Sequence, residues 1–229
     1  MFLVRHPEPV GSAGVCYGRT DLDVTPGSVA VAADRVSEVL RSRCVTSAGL
    51  DGSEPGCVTS SGLAGSEPGL VVVSSPLRRC TALAQALGTY ECDDRLVELD
   101  FGDWEGVDWN EIDRTDFDHW AADHVHNRVP GGESWADVRD RMRFFLADVR
   151  KRASSTIVVI THTGVIRAVL SLILGIPLET TWAFEISFGC IVELGLAPDG
   201  DKLILLSPGP DRQVRPHDPQ ASLSAQSRP

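Results

Sequence analysis

The sequence of 229 residues has no run of about 18 apolar residues, so it predicts no membrane-spanning helix. Arg5 and His6 interrupt the first apolar run at once, which argues against a signal peptide. No C-x-x-C pair occurs among the six cysteines, so zinc and redox motifs have no support, and we interpret the thiols as those of a reduced, cytoplasmic protein. They are Cys16, Cys44, Cys57, Cys80, Cys92 and Cys190.

Positive charge is also scarce. The net charge of −11 argues against nucleic acid as the main partner, because phosphate backbones are bound by broad basic surfaces. A small phosphorylated metabolite is compatible with it, since a few arginines can dominate the field inside a cleft. One polar stretch contains His and Asp residues of the kind that could bind a metal ion. Crowded His and Asp on a polar helix are usually a solvated face, however, so we predict neither metal nor cofactor. The stretch contains Asp118, His119, Asp123, His124 and His126.

Strand and helix patterns alternate along the chain, which predicts an α/β fold: a three-layer sandwich with a mainly parallel sheet and helices on both faces. Strands are predicted at 2–6, 70–75, 95–99 and 156–161, and the continuous apolar run at 70–75 is of the kind that is buried in parallel sheets. Apolar stripes predict helices at 26–42, 77–87, 135–149 and 165–174, the third opened by a capping box at Ser134 and Asp137. A terminal hairpin is predicted at 191–196 and 203–206.

We predict a single domain over residues 1–206. Within it, residues 44–56 are followed by a near copy, residues 57–69, that differs only at Ala48/Ser61 and Asp51/Ala64. Its Gly, Ser, Glu and Pro content indicates a flexible surface insertion without a catalytic role, because long loops are tolerated at modest entropic cost. Residues 207–229 are dominated by proline and polar residues, and we expect a disordered tail there.

Reactive side chains follow the predicted strands. Arg5 and His6 end the first strand, Arg79 lies in the turn after the second, and His162 ends the strand at 156–161. Ligands of open α/β sheets bind at the carboxyl edge, so these groups can converge there together with Glu98. The dipeptide alone favours a plain strand-end pair, with Arg5 and His6 in contact with solvent or a carboxylate. The whole set favours a phosphate dianion, because guanidinium groups match phosphate oxygens bidentately.

Hydrolysis of a phosphate monoester would need acceleration of up to about 10²¹-fold. Without a metal motif, the chain must supply a nucleophile, charge neutralisation and a proton for the leaving group. Histidine can form a covalent intermediate that divides the reaction into two steps, and a carboxylic acid can protonate the departing alkoxide. One imidazole, several cationic donors and one glutamate meet these three needs.

At these residues the chain resembles the histidine phosphatase superfamily, also called phosphoglycerate mutase-like, in segments that cover most of residues 1–195. The matching segments are 3–6, 17–21, 75–79, Glu98 with 101–106, 130–134 and 162–167. The resemblance implies that His6 is the nucleophile that becomes phosphohistidine. It implies that Arg5, Arg79 and His162 bind the phosphoryl group, and that Glu98 protonates the leaving group and later activates water. The substrate would be bordered by Tyr17, Gly18 and Arg19, and we add Ser12 and Thr163 to the candidate substrate-binding residues.

The chain departs from the family at two positions. Members commonly carry glycine after the nucleophilic histidine and asparagine six residues after it, where this chain has Pro7 and Ser12. Pro7 has no N–H to offer and Ser12 is a shorter donor, so phosphate contacts from this loop are placed in question.

Three functions are compatible with the resemblance. Only 64 positions separate Glu98 from His162, which is compact beside the mutases and favours a phosphatase. The stretch 16–21 resembles the α-ribazole phosphatases of cobalamin assembly, which act on α-ribazole 5′-phosphate. The alternatives are phosphoglycerate mutase-type transfer and a non-catalytic module that binds a phosphorylated ligand.

Overall fold

The computed structural model describes residues 1–47, 69–152, 156–197 and 200–210. Six strands form one sheet: β1 (Phe2–Arg5), β2 (Leu70–Ser74), β3 (Glu91–Cys92), β4 (Thr156–Thr161), β5 (Ile191–Gly195) and β6 (Lys202–Ser207). Within these ranges five α-helices accompany it: α1 (Pro26–Ser47), α2 (Arg78–Leu87), α3 (Arg114–Ala122), α4 (Trp135–Arg150) and α5 (Thr163–Leu174). Most of the predicted elements are therefore present within a few residues of their expected bounds.

The sheet is mixed and mostly parallel, which confirms the predicted fold class. Its strand order is β3-β2-β4-β1-β5-β6. The first four strands in that order pair in parallel, β5 pairs antiparallel to β1, and β6 pairs antiparallel to β5. Because β2, β4 and β1 are neighbours that run the same way, the segments that follow them meet at one edge.

Two cores cover the two faces of the sheet. Side chains alternate across a strand, so Phe2 and Val4 of β1 pack in one core while Leu3 packs in the other. Helices α1 and α2 cover the first face, and α4 and α5 cover the second. This arrangement gives the predicted three layers. No helix of the described ranges is long and apolar enough to cross a membrane.

The strand predicted at residues 95–99 is wrong. The chain instead forms a 3₁₀ turn at Asp94–Leu96 and continues in extended coil, and the third strand is the two-residue β3 just before it. The cause is local: the carboxylate of Asp93 accepts hydrogen bonds from the backbone N–H of Arg95 at 2.9 Å and from its guanidinium. This cap bends the chain out of the sheet immediately after β3.

Two boundaries lie beyond the predicted ones. Helix α1 continues to Ser47, and Arg43 in this extension bonds the carboxylate of Glu193 on β5 at 2.6 and 2.9 Å. Strand β6 includes Ser207, and the next residues pack on the domain, with Gly209 donating its N–H to Ser187 Oγ at 2.8 Å. Most of the duplicated insertion (48–68) and of the expected tail (211–229) lies outside the described residues, so those predictions stay predictions.

Candidate active site

His6 lies directly after β1, at the carboxyl edge of the sheet. Its backbone N–H donates to Thr161 O at 3.0 Å, and its side chain is 2% exposed. The ring Nδ1 lies 2.7 Å from the carbonyl oxygen of Pro7. A carbonyl oxygen only accepts, so Nδ1 carries the proton and Nε2 keeps its lone pair. Burial, reinforced by the guanidinium groups of Arg79 and Arg5, holds the pKa of His6 well below its ordinary value. The ring is therefore neutral and presents Nε2.

His162 lies after β4 and begins α5. Its Nδ1 accepts from Arg79 Nε at 3.3 Å, so the proton is on Nε2, which donates to Ser75 Oγ at 2.8 Å. Burial, and after it the positive charge of Arg79, hold the pKa of His162 well below its ordinary value. The two imidazole rings are 5.0 Å apart between centroids and inclined at 61°. Two neutral histidines thus lie side by side at the sheet edge.

Arg79, in the first turn of α2, is fully buried at the same edge. Its Nη1 donates to Thr20 O at 2.7 Å and its Nη2 donates to Gly18 O. The neighbouring Arg78 points to the surface instead, where it pairs with exposed carboxylates on Asp21 and Asp23. The structure thus brings Arg79, and not Arg78, to the two histidines.

Arg5 reaches the site from β1. Its Nη1 donates to Ile186 O at 2.6 Å, and its guanidinium carbon lies 3.9 Å from the centroid of the Phe188 ring, a cation–π distance. The Arg5 Nε is buried and has no hydrogen-bond partner among the described residues. Phe188 also lies 5.6 Å from the His6 ring, between centroids. Nothing in the sequence pattern pointed to Phe188, because it follows no strand and belongs to no quoted motif.

Glu98 is 7% exposed and is held by two backbone donors. Leu99 N–H reaches Oε1 at 3.0 Å, and Gly164 N–H, in the first turn of α5, reaches Oε2 at 3.1 Å. A Cβ at Gly164 would lie 2.0 Å from the Trp135 ring and 2.4 Å from Glu98 Oε1. Only glycine therefore allows α5 to approach the carboxyl group this closely. Thr163, the residue before it, donates its hydroxyl to Ile186 O at 3.4 Å.

The segment predicted to border the substrate lies against Arg79. The Tyr17 ring is 5.4 Å from the Arg79 guanidinium carbon. Burial raises the pKa of Tyr17, although Arg5, Arg79 and a hydrogen bond with Ser12 oppose the shift. The Ser12 hydroxyl also donates to Pro9 O at 3.0 Å. Ser12 therefore connects the loop internally as well as contacting Tyr17.

Arg19 and Gly18 are placed differently from each other. The guanidinium of Arg19, about half exposed, pairs with Asp100 at 3.4 Å and Glu133 at 3.3 Å. Gly18 is packed so closely that a Cβ would lie 1.8 Å from Leu99 O. Glu105 belongs to the segment 101–106 that carries the family resemblance, but no role for it was predicted from the sequence. Its carboxylate is the hydrogen-bond acceptor for the backbone of this loop.

The polar stretch around α3 lies apart from these residues. His126 pairs with Asp123 at 3.0 Å on the surface, and His124 packs against the rings of Trp120 and Trp182. Over the ranges that the structure describes, no three His, Cys, Asp or Glu side chains are grouped so that they could hold a metal ion.

Two neutral histidines and two arginines at the carboxyl edge of an α/β sheet suit a phosphate dianion. Residues 60–207 match the model of the histidine phosphatase superfamily (branch 1), so the chain belongs to that superfamily and is a histidine phosphatase.

Relatives cover most of the chain. A Hydrogenobacter thermophilus protein, provisionally named phosphoserine phosphatase 2, is 28% identical over 90% of this chain and 94% of its own length. Phosphoserine phosphatase 1 of the same organism is 38% identical over 52% of this chain and 59% of its own. The α-ribazole phosphatase of Shigella flexneri is 20% identical over 90% of this chain and 95% of its own, with a TM-score of 0.70, a likeness of fold.

Proposed function

We propose that the protein is a metal-independent phosphomonoesterase that acts on a small phosphorylated metabolite through a phosphohistidine at His6. The observation that carries this proposal is the pair of bonds that set the two imidazole tautomers. Nδ1–H of His6 is tied to Pro7 O at 2.7 Å, which leaves a neutral Nε2 as nucleophile beside Arg79. The proline that departs from the family pattern thus supplies the contact with its carbonyl group, which every residue has.

In the first step, Nε2 of His6 attacks phosphorus and the bond to the ester oxygen breaks. Arg5 and Arg79 neutralise the phosphoryl oxygens through permanently charged donors, and the unpartnered Nε of Arg5 is one such donor. His162 would donate from Nε2 to the phosphoryl group by exchanging its bond to Ser75. Glu98 transfers its proton to the departing alkoxide.

In the second step, water attacks the phosphorus of phosphohistidine and the P–N bond breaks. Glu98, now a carboxylate, takes the proton of the attacking water, and inorganic phosphate leaves. Each Glu98 oxygen accepts one backbone N–H, so a lone pair on each remains to carry this proton. No step in this cycle needs a metal ion.

The substrate is proposed from the relatives and from the loop at 16–21. α-Ribazole 5′-phosphate is the candidate that the loop suggests, and phosphoserine is the one named in the two Hydrogenobacter proteins. A cytoplasmic location and the absence of nucleic-acid partners stay predictions from composition.

The experiment is phosphate release from α-ribazole 5′-phosphate, phosphoserine, 3-phosphoglycerate and an aryl phosphate, in the presence of a chelator. His6→Ala should abolish release, while His119→Ala, which removes an exposed histidine on α3, should leave it unchanged. The substrate with the highest kcat/KM names the leaving group. Release that persists in His6→Ala would refute the proposal. Transfer between phosphoglycerates with little hydrolysis would indicate a mutase, and binding of phosphate without turnover would indicate a binding module.

A further inference from the structure

The carboxylate of Glu105 gathers five donors from two segments of the chain. It accepts the backbone N–H groups of Gly18 at 3.0 and 3.1 Å, Arg19 at 2.7 Å, Thr20 at 2.9 Å and Phe101 at 3.1 Å. The Thr20 hydroxyl donates to it as well. Among the described residues, Glu105 has no basic partner within ion-pair distance. The negative charge is therefore held entirely by the backbone and one hydroxyl.

The same loop holds Arg79 from its other side. The carbonyl oxygens of Gly18 and Thr20 accept from the two terminal nitrogens of the Arg79 guanidinium. The peptide bond between Gly18 and Arg19 does both tasks, because its N–H points to Glu105 and its C=O points to Arg79. A peptide unit is planar, so fixing one end orients the other. A donated N–H also polarises the unit and makes its carbonyl a stronger acceptor.

The loop backbone at Gly18 packs closely against Glu105 and Leu99. A Cβ at Gly18 would meet Leu99 O at 1.8 Å and Glu105 Oε1 at 2.9 Å, so the backbone lies against both groups without spare room. Burial acts to raise the pKa of Glu105, but the hydrogen bonds from Thr20, Gly18 and Arg19 outweigh it and leave this pKa lowered. The carboxylate is therefore ionised at neutral pH.

We propose that Glu105 is a positioning residue that aims the Arg79 guanidinium at the phosphoryl group through the backbone of residues 18–20. The inference rests on the proposed function, in which Arg79 binds that group. Among the described residues, the hydrogen bonds of Glu105 go to the backbone of residues 18–20, to Phe101 N–H and to the Thr20 hydroxyl, and not to His6 or Arg79. Replacing Glu105 should therefore reduce the contribution of Arg79 to phosphate binding and catalysis, and should have little other effect on either.

The test is a double-mutant cycle on the full chain, with kcat/KM for an aryl phosphate and the Kd of inorganic phosphate by calorimetry. Glu105→Gln places an amide NH₂ among converging donors. It should lower kcat/KM by about ten- to a hundredfold, the loss that a misplacement of about 1 Å causes. The control Asp103→Asn neutralises an exposed carboxylate in the same turn and should leave both values unchanged.

The Arg79→Ala background separates positioning from general damage. There, Glu105→Gln should change the phosphate Kd by less than about twofold, because the residue through which it acts is gone. If Glu105→Gln weakens phosphate binding equally in the wild-type and Arg79→Ala backgrounds, so that the two effects are additive, the inference is overturned. An Arg79→Ala variant with wild-type phosphate affinity would instead refute the role of Arg79 in the proposed function, and the positioning role with it.

A matched pair at Thr20 covers the case in which Glu105→Gln does not fold. Thr20→Val deletes the hydroxyl that donates to Glu105, whereas Thr20→Ser keeps it. Thr20→Val should raise the phosphate Kd by about tenfold or more, the effect of one hydrogen bond to a charged group, and Thr20→Ser should not. Identical phosphate affinities for the two variants would count against the inference.

Discussion

A methyl group at Gly164 should separate Glu98 from α5, and Gly164→Ala is therefore the sharpest probe of this site. The added Cβ would lie 2.0 Å from Cζ3 of Trp135 and 2.4 Å from Glu98 Oε1. Ordinary contacts between carbon atoms are about 3.5 to 4.0 Å, so the indole or the helix must move by about 1.5 Å or more. Trp135 is only 1% exposed and packs edge-on against Phe101 and Trp182, which leaves it little space.

Stability and activity should respond separately to this change. Overpacking a core costs about 1 to 3 kcal/mol, against at most about 1 kcal/mol gained by replacing glycine with alanine in a helix. We expect a net loss of free energy of unfolding of up to about 2 kcal/mol. A shift of about 1 Å in the Glu98 carboxyl should lower kcat by about a hundredfold wherever its proton is needed.

The assay is kcat/KM over a series of alkyl and aryl phosphates, with Glu98→Gln as comparison. Both variants should lose most on alkyl esters, whose alkoxides need a proton, and least on activated aryl esters. Gly27→Ala is the matched control, because its Cβ would meet nothing within 4 Å, and it should keep full activity. An equal loss of Gly164→Ala on every ester, or wild-type kinetics throughout, would show that the close approach of α5 does not serve Glu98.

Three further predictions concern charge, protons and capping. Arg79→Ala should lower kcat/KM by about 10²- to 10³-fold, the cost of one transition-state donor. Arg78→Ala should leave it near wild type, because exposed ion pairs contribute about 0 to 1 kcal/mol. His6 and His162 have lowered pKa values in the folded state, so below about pH 6.5 the unfolded state binds more protons and stability falls, by up to about 1.4 kcal/mol per pH unit for each histidine. Urea unfolding between about pH 5 and pH 7.5 should show a shallower decline in His6→Asn, and an unchanged slope would contradict the assignment of neutral rings. Ser134→Ala should cost about 1 kcal/mol of unfolding free energy in the same assay without changing kcat, because it removes half of the capping box of α4.

Hydrophobic pattern was sufficient to predict the strands that are buried on both faces. Residues 70–74 and 156–161 are continuous apolar runs, and both became neighbouring parallel strands. The segment at 95–99 has a similar apolar content but failed as a strand, because the side chain of Asp93 competes for its backbone. Such a local cap depends on one carboxylate's conformation, which periodicity does not report.

The histidines and arginines of the site could be predicted from their positions after the strands, whereas the contacts of Glu105 could not be predicted. His6, Arg79 and His162 each follow an apolar run, so the rule that strand ends converge brings them together before any contact is known. Glu105 has no such marker, because its partners at Gly18 and Thr20 lie 87 and 85 positions away and offer backbone N–H groups and one hydroxyl, none of them charged. Every residue except proline has the same backbone N–H donor. A side chain that binds such donors therefore requires no particular residue type at the partner position, and the sequence does not reveal the contact. Candidate residues for contact with the substrate can therefore be predicted from charge and position, whereas a proposed positioning residue that bonds only uncharged donors emerges only from the folded chain.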